Sequence, residues 1–595
     1  MGILNEKRYK KKLNCIYFVL YKLNYSSKMT QSYTMQNMFM SEYFSEAFFA
    51  YGKENIDQSL ITNVPFTEAK FGILNLQAVK AADPTVGFDF VFTIDCSGSM
   101  TDLCSDKRSK MQHIIHTMKN IIWFFNDHPH INVFVTIFAF DNEIFNIVDR
   151  THISKENISE IIEKIDTIRP RNSTDIELAL KNATKYIASL KDTTTADGLV
   201  TNREIVHIFM TDGDATSGER NPEKLRLLID NNVTNSFIGF GTSHDYKLLD
   251  EISIGINSNY YFIDQLESSG LVYGEILHNA LYTILKNVVI NCENSLVYDY
   301  KTNSWKNQLS IGNIFGESNK IYHIVSDSPF ESNVYITFSG LEDSAFAIGH
   351  KIDDEINLDK YLFRQRTQQI LYEVKNFKNN IHRPFTYGLS ESEDMESDKK
   401  YSEELEEYTK NKKEYIMKMK RFIEEIKQYM IEHNLENDKF LKNLSDDIYI
   451  CYKTFGTVYQ NMFSTARQTS QGTQRQYTAT SIPEDSFMDV TQPLFRFNKM
   501  TLIAGQTNSP MLTRAMNRNN LYCNDDDDSH DSDVTIQNKL SLQLPEELEY
   551  NLSQFEDTPY ITPAALKIMR SVSNGIKTKD DNTKYNLDEE ESQAI

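Results

Sequence analysis

The chain is 595 residues long, 40% hydrophobic and 12% aromatic, with a formal net charge of −22. That length exceeds what one hydrophobic core organises, so several domains are expected, and the apolar content suffices to build them. So acidic a balance excludes nucleic acid as the main partner, because a polyanion would be repelled.

Residues 1–60 read as a disordered leader. A basic stretch at 7–12 precedes "CIYFVLY" (15–21), an apolar run too short to span a membrane and without a small-residue cleavage site. The six cysteines, Cys15, Cys96, Cys104, Cys292, Cys451 and Cys523, are scattered with no C-x-x-C pair, the pattern of a reduced chain. A cytoplasmic protein without membrane contact is the expectation.

From residue 88 to about 288 strands and helices alternate. The strands are "DFVFTID" (89–95), "NVFVTIFAF" (132–140), "EIVHIFMTD" (204–212), "NSFIGFG" (235–241) and "NYYFID" (259–264), several of them near-continuously apolar. Such strands are buried on both faces of a mostly parallel sheet. Helical periodicity lies between them, near 109–126, 175–190, 222–231, 244–253 and 269–286, and "IFNIV" (144–148) follows its neighbour at hairpin distance as an antiparallel edge. The fold class is therefore α/β, a doubly wound, mostly parallel sheet over residues 85–287. Short strands separated by turn residues then predict a β-sandwich over 288–352, joined by the strand at 70–79. Residues 357–480 read as a helical region, with helices at 357–378, 402–432 and about 438–465. From 483 to 595 the pattern fades into an acidic tail containing "DDDDSHDSD" (525–533).

In an open parallel sheet, ligands bind beyond the carboxyl ends of the strands where strand order reverses. The first strand of the α/β domain ends in "DCSGSM", which places Asp95, Ser97 and Ser99 at that position. Hard oxygen ligands on a tight loop suit Mg²⁺, and Gly98 lets the backbone turn between the serines. Thr174, in "RPRNSTDIELAL", and Asp212, in "FMTDGDATSG", supply further oxygens from neighbouring strand ends.

The Asp-x-Ser-x-Ser pattern, the distant Thr before a helix and the Asp-Gly after a third strand resemble the von Willebrand factor A (VWFA) domain. Its metal-ion-dependent adhesion site uses five such residues, which correspond to Asp95, Ser97, Ser99, Thr174 and Asp212. The resemblance implies that Ser97, Ser99 and Thr174 offer hydroxyl ligands to Mg²⁺, with Mn²⁺ or Ca²⁺ as alternatives. Asp95 and Asp212 then act mostly through water or hydrogen bonds, and the open position takes a carboxylate from a protein partner. Cys96 stands where the family has an apolar residue, and Asn172 and Ser173 where glycines are common. Downstream, "STARQTSQGTQRQYTA" (464–479) is similar to a segment of intracellular VWFA proteins with intein-like or ubiquitin-ligase-type modules; a polar linker is the alternative.

Other constellations are weaker. His113 and His116 lie three apart on a helix with no second pair, so they do not make a zinc site. Neither serine has a nucleophile elbow or a paired histidine. The expected function is a non-enzymatic, metal-dependent protein-interaction module. The alternatives are a metal-dependent assembly or regulatory subunit of a larger complex and, third, a metal-dependent hydrolase, against which stands the lack of a positioned general base.

Overall fold

The computed structural model describes residues 42–104, 107–191, 203–255, 257–263, 269–339, 345–351, 356–377, 391–456, 459–475 and 558–574. The apolar run at 15–21, the acidic run at 525–533 and the end of the 464–479 segment lie outside these residues.

In chain order the elements begin with β1 (Phe44–Asn55), β2 (Lys70–Ala78), β3 (Gly87–Asp95), α1 (Lys110–Asp127), β4 (Val133–Phe140) and β5 (Ile144–His152). Next come α2 (Ile158–Ile165), α3 (Ile176–Lys191), β6 (Arg203–Thr211), α4 (Pro222–Arg226), β7 (Thr234–Phe240), α5 (Tyr246–Ile252), β8 (Ser258–Ile263) and α6 (Ser269–Leu281). A run of strands follows: β9 (Thr283–Glu293), β10 (Leu296–Asp299), β11 (Ser304–Lys306), β12 (Gln308–Phe315), β13 (Asn319–Ser326), β14 (Asn333–Ser339) and β15 (Ala345–His350). Among the described residues the helices α7 (Asp359–Asn376), α8 (Glu391–Glu432), α9 (Lys439–Thr454), α10 (Gln460–Thr473) and α11 (Pro563–Asn574) follow. Two compact units divide the chain: residues 1–82 with 283–369, and residues 83–282 with 370–595.

The first unit is a nine-stranded sheet in the order β11-β10-β13-β2-β1-β15-β14-β9-β12. Its pairs are antiparallel except β1 with β15. Alternate residues from most of these strands, among them Leu74, Leu76, Val288, Ile290, Ile324, Val334 and Ile336, share one core. The layer expected as a sandwich is thus one sheet curled round its own interior, close to a barrel. It contains β1, which lies within the stretch expected as a leader.

The second unit is built on a six-stranded sheet in the order β5-β4-β3-β6-β7-β8, parallel except for the antiparallel edge strand β5. Phe88, Phe90, Phe92 and Ile94, two apart along β3, point to one face, where residues of α1, α2, α6 and α11 cover them. On the other face Phe140, Phe209, Phe237, Tyr260 and Phe262 pack against α3, α5, α9 and α10 through Ile176, Leu248, Ile450, Met462 and Phe463.

Several boundaries move from the expected ones. The helix foreseen at 269–286 stops at Leu281, and Ile284 belongs to β9, because the β-branched run "TILKNVVI" suits a strand better. The helix foreseen at 438–465 is two, α9 and α10; Gly456 between them sits at φ 75°, a left-handed conformation that glycine adopts without strain. The stretch foreseen as a patternless tail holds α11, whose Ala565, Ile568, Met569 and Val572 are buried.

Candidate functional site

The strand order places the site. From β3 the chain moves to β4 on one side, and β6 later adds on the other, so the reversal of direction falls between β3 and β6. Asp95 is the last residue of β3 and Asp212 directly follows β6, so both carboxylates stand at this crevice, and both are fully buried.

The loop after Asp95 is set by its own hydrogen bonds. The Ser97 N–H donates to Asp95 Oδ1 (2.7 Å) and the Thr211 hydroxyl to Asp95 Oδ2 (2.6 Å). A short 3₁₀ turn, Gly98–Thr101, then folds Ser99 back, so that the Ser97 and Ser99 hydroxyl oxygens lie 3.1 Å apart. Ser99 in turn donates to Asp212 Oδ1 at 2.7 Å. Four of the five expected residues therefore form one connected cluster. Burial, with the neighbouring Asp212 charge adding to it, pushes the Asp95 carboxyl up to about 7, against the pull of the Thr211 and Ser97 donors.

Thr174 is brought in by a loop held on both sides. Its N–H donates to Thr216 Oγ1 (2.8 Å), and its carbonyl accepts the Thr216 and Ser217 N–H groups. Its hydroxyl makes no hydrogen bond to any described residue. Asn172, at φ 48°, accepts the Gly98 N–H on its carbonyl (3.1 Å), which joins the Thr174 loop to the serine loop. Gly98 itself does not have a positive φ; a Cβ there would stand 3.4 Å from the Asn172 carbonyl, so its use is the close approach of two loops and not a special turn. Gly218 does need its freedom: at φ 74° a Cβ would meet Asp175 Oδ1 at 2.5 Å, and Asp175 starts α3 by accepting the Leu178 N–H.

Three positioning residues escaped the sequence reading. Asp141, fully buried directly after β4, accepts from Asn172 Nδ2 (3.0 Å) and forms an ion pair with Arg171 Nε (3.3 Å), while its carbonyl takes the Asp175 N–H. It thereby fixes the loop that carries Thr174. Thr211 orients Asp95. Lys110, on the first turn of α1, reaches Asp212 Oδ2 at 2.5 Å and Asp102 Oδ2 at 3.4 Å. One signal for Lys110 was legible: a cation at a helix N-terminus opposes the macrodipole and calls for a specific partner.

Cys96 behaves as a small buried apolar residue. Its thiol donates to the Phe140 carbonyl (3.2 Å) and burial pushes it up to about 12, so it is an inert thiol. Cys96 and Cys104 are not bonded to each other. His116 shares a hydrogen bond with Asn120 (3.3 Å). Among the described residues no group of three or more His, Cys, Asp or Glu is gathered as for a metal centre; the connected cluster of Asp95, Ser97, Ser99 and Asp212 has two carboxylates and two hydroxyls.

The segment from 464 is not a linker over its described part. Arg467 pairs with Asp447 (2.7 Å), Gln471 donates to Asn443 and Asp447 (both 2.6 Å), and Arg475 donates to the Tyr260 carbonyl, all of them buried. No helix among the described residues is long and apolar enough to cross a membrane.

Residues 89–273 match the family described as von Willebrand factor type A domain, so the chain contains such a domain. Inter-alpha-trypsin inhibitor heavy chain H3 of Rattus norvegicus is 23% identical over 227 residues, 37% of this chain and 24% of that protein. The Bos taurus protein is 23% identical over 228 residues, 38% of this chain and 24% of its own. The chain spans about a quarter of the length of these curated relatives. Similar solved structures include a von Willebrand factor type A protein from Catenulispora acidiphila (14% identity, 56% of this chain and 83% of that one, TM-score 0.38). Another is the ArnB paralog VWA2 from Sulfolobus acidocaldarius (14% identity, 72% and 98%, TM-score 0.39).

Proposed function

We propose that the α/β unit is a divalent-cation-dependent protein-interaction module. Asp95, Ser97, Ser99, Thr174 and Asp212 hold Mg²⁺ (or Mn²⁺ or Ca²⁺), and the protein partner presents an acidic residue. The observation that carries this reading is the spacing of the donors. Neighbouring ligands on an octahedral Mg²⁺ with bonds of about 2.1 Å stand about 3.0 Å apart, and the serine hydroxyls stand 3.1 Å apart. The free Thr174 hydroxyl fits as a third neutral donor. The bound ion supplies a Lewis-acidic position for a carboxylate oxygen. The protein's own groups do the rest: Thr211 and the Ser97 N–H orient Asp95, Asp141 holds the Thr174 loop, and the three hydroxyls add no charge to that of the two carboxylates.

The test is calorimetric titration with MgCl₂. Asp95→Ala and Asp212→Ala should lose at least tenfold in affinity while keeping wild-type circular dichroism, since both residues stand at the loop end of the sheet and outside its hydrophobic clusters. Equal Mg²⁺ binding by wild type and Asp95→Ala would remove the assignment.

A further inference from the structure

Lys110 is 7% exposed, and a lysine is rarely so buried without a charge partner. It occupies the first position of α1, where the helix dipole is unfavourable to a cation. Its ammonium contacts one oxygen of Asp212, the other oxygen of which accepts from Ser99. Its second carboxylate, Asp102, is 34% exposed and 3.4 Å away, so solvent screens that pair much more than the first.

We propose that Lys110 is a positioning and charge-setting residue for the ion site: it holds Asp212 Oδ2, turns Oδ1 toward the serine pair, and cancels the charge of that carboxylate. The inference rests on the reading of the five residues as an ion site. Asp95 and Asp212 ionised carry two negative charges, and Lys110 reduces the set to one. With a divalent ion the set then carries one net positive charge; without Lys110 it would be neutral. Two consequences follow with opposite signs. Lys110 weakens the hold on the ion, and it strengthens the attraction of the loaded site for an anionic ligand. It therefore selects a carboxylate over a neutral oxygen as the group contributed by a partner. A purely structural role would not separate the two: losing a packing contact would weaken both.

The experiment uses the full chain with Lys110→Met, which keeps the buried stem and removes the charge, alongside Lys110→Gln and Lys110→Arg. Mg²⁺ affinity is read by calorimetry. Acetate affinity of the Mn²⁺-loaded protein is read from paramagnetic relaxation of the acetate methyl protons. The expected result for Lys110→Met is a Mg²⁺ Kd lower by roughly tenfold or more and a several-fold weaker acetate affinity, with Lys110→Arg close to wild type in both. Lys110→Gln gives the same pair of signs and decides the matter if the Met variant loses its fold. Both affinities falling together, or neither changing, in a protein whose wild type binds Mg²⁺ would overturn the role of Lys110 and leave the ion site standing. A wild type that binds no Mg²⁺ would overturn both.

Discussion

Replacing Gly274 with valine should loosen α11 from the α/β unit, although intrinsic helix propensity points the other way. Gly270 and Gly274, one turn apart on α6, form the strip against which α11 lies. A Cβ built on Gly274 would stand 2.4 Å from the Met569 Cα, and one on Gly270 would stand 2.4 Å from the Ser573 Cα. Both obstacles are backbone atoms, so no rotamer change relieves them and α11 must shift as a body by about 1 Å or more to restore van der Waals separation. A gap of that size forfeits a quarter to a half of each dispersion contact along the interface. The cost is about 2–3 kcal/mol, against about 0.5 kcal/mol that valine gains over glycine in helix propensity. Hydrogen exchange of the amides in 563–574 is the assay, and a net loss of about 2 kcal/mol raises exchange roughly thirtyfold. Because the clash is with the Met569 Cα, Met569→Ala should not rescue Gly274→Val. Unchanged or slower exchange in Gly274→Val would refute the close-packed interface.

Three other outcomes are expected. Arg467→Met leaves the Asp447 carboxylate buried and should cost about 3–5 kcal/mol in urea unfolding, with most of it recovered in the double variant Arg467→Met/Asp447→Leu; equal losses in single and double variants would show that the pair does not act as a unit. Burial pushes the His207 and His244 imidazoles down to about 4. Below an unfolded value of about 6.5 the unfolded chain takes up protons that the folded one refuses, so each histidine's contribution is intact above pH 6.5 and falls by about 1.4 kcal/mol per pH unit down to about pH 4; the raised Asp95 carboxyl slopes the other way over this range, so the readout is the difference between variants, and urea midpoints at pH 7.5 and 5 should show His207→Gln losing less on acidification than wild type by one histidine's share. Residues 283–369 alone should fail to unfold cooperatively, because β1 and β2 stand in the middle of their sheet, and adding a 42–82 peptide should restore the transition; a cooperative melt without the peptide would contradict the sheet order.

What the sequence made legible follows from range. The pattern around Asp95 could be read because strand, turn and oxygen side chains occur within thirteen consecutive residues, and the order of a parallel sheet forces that turn to the ligand-binding end. Thr174 and Asp212 were accessible for the same reason, each beside a strand or helix signal of its own. Asp141 was not, and Lys110 only as a cation in want of a partner, since their roles depend on contacts with residues as far as 31 and 102 positions away, and a lone Lys or Asp carries no periodic signal. The stretch from 464 shows the reverse error. Its Arg and Gln residues look like solvent-facing polar chain, yet Arg467 and Gln471 find Asp447 on the preceding helix and are buried by it. Polarity predicts exposure only when no partner of matching charge is brought within reach. The short helix α11 was lost inside a weakly patterned region for a related reason. Its apolar residues, Ala565, Ile568, Met569 and Val572, recur at helical spacing over barely two turns, too short a repeat to stand out. What gives them a place is the pair of glycines on α6, some 300 positions earlier, whose missing side chains let the two backbones touch.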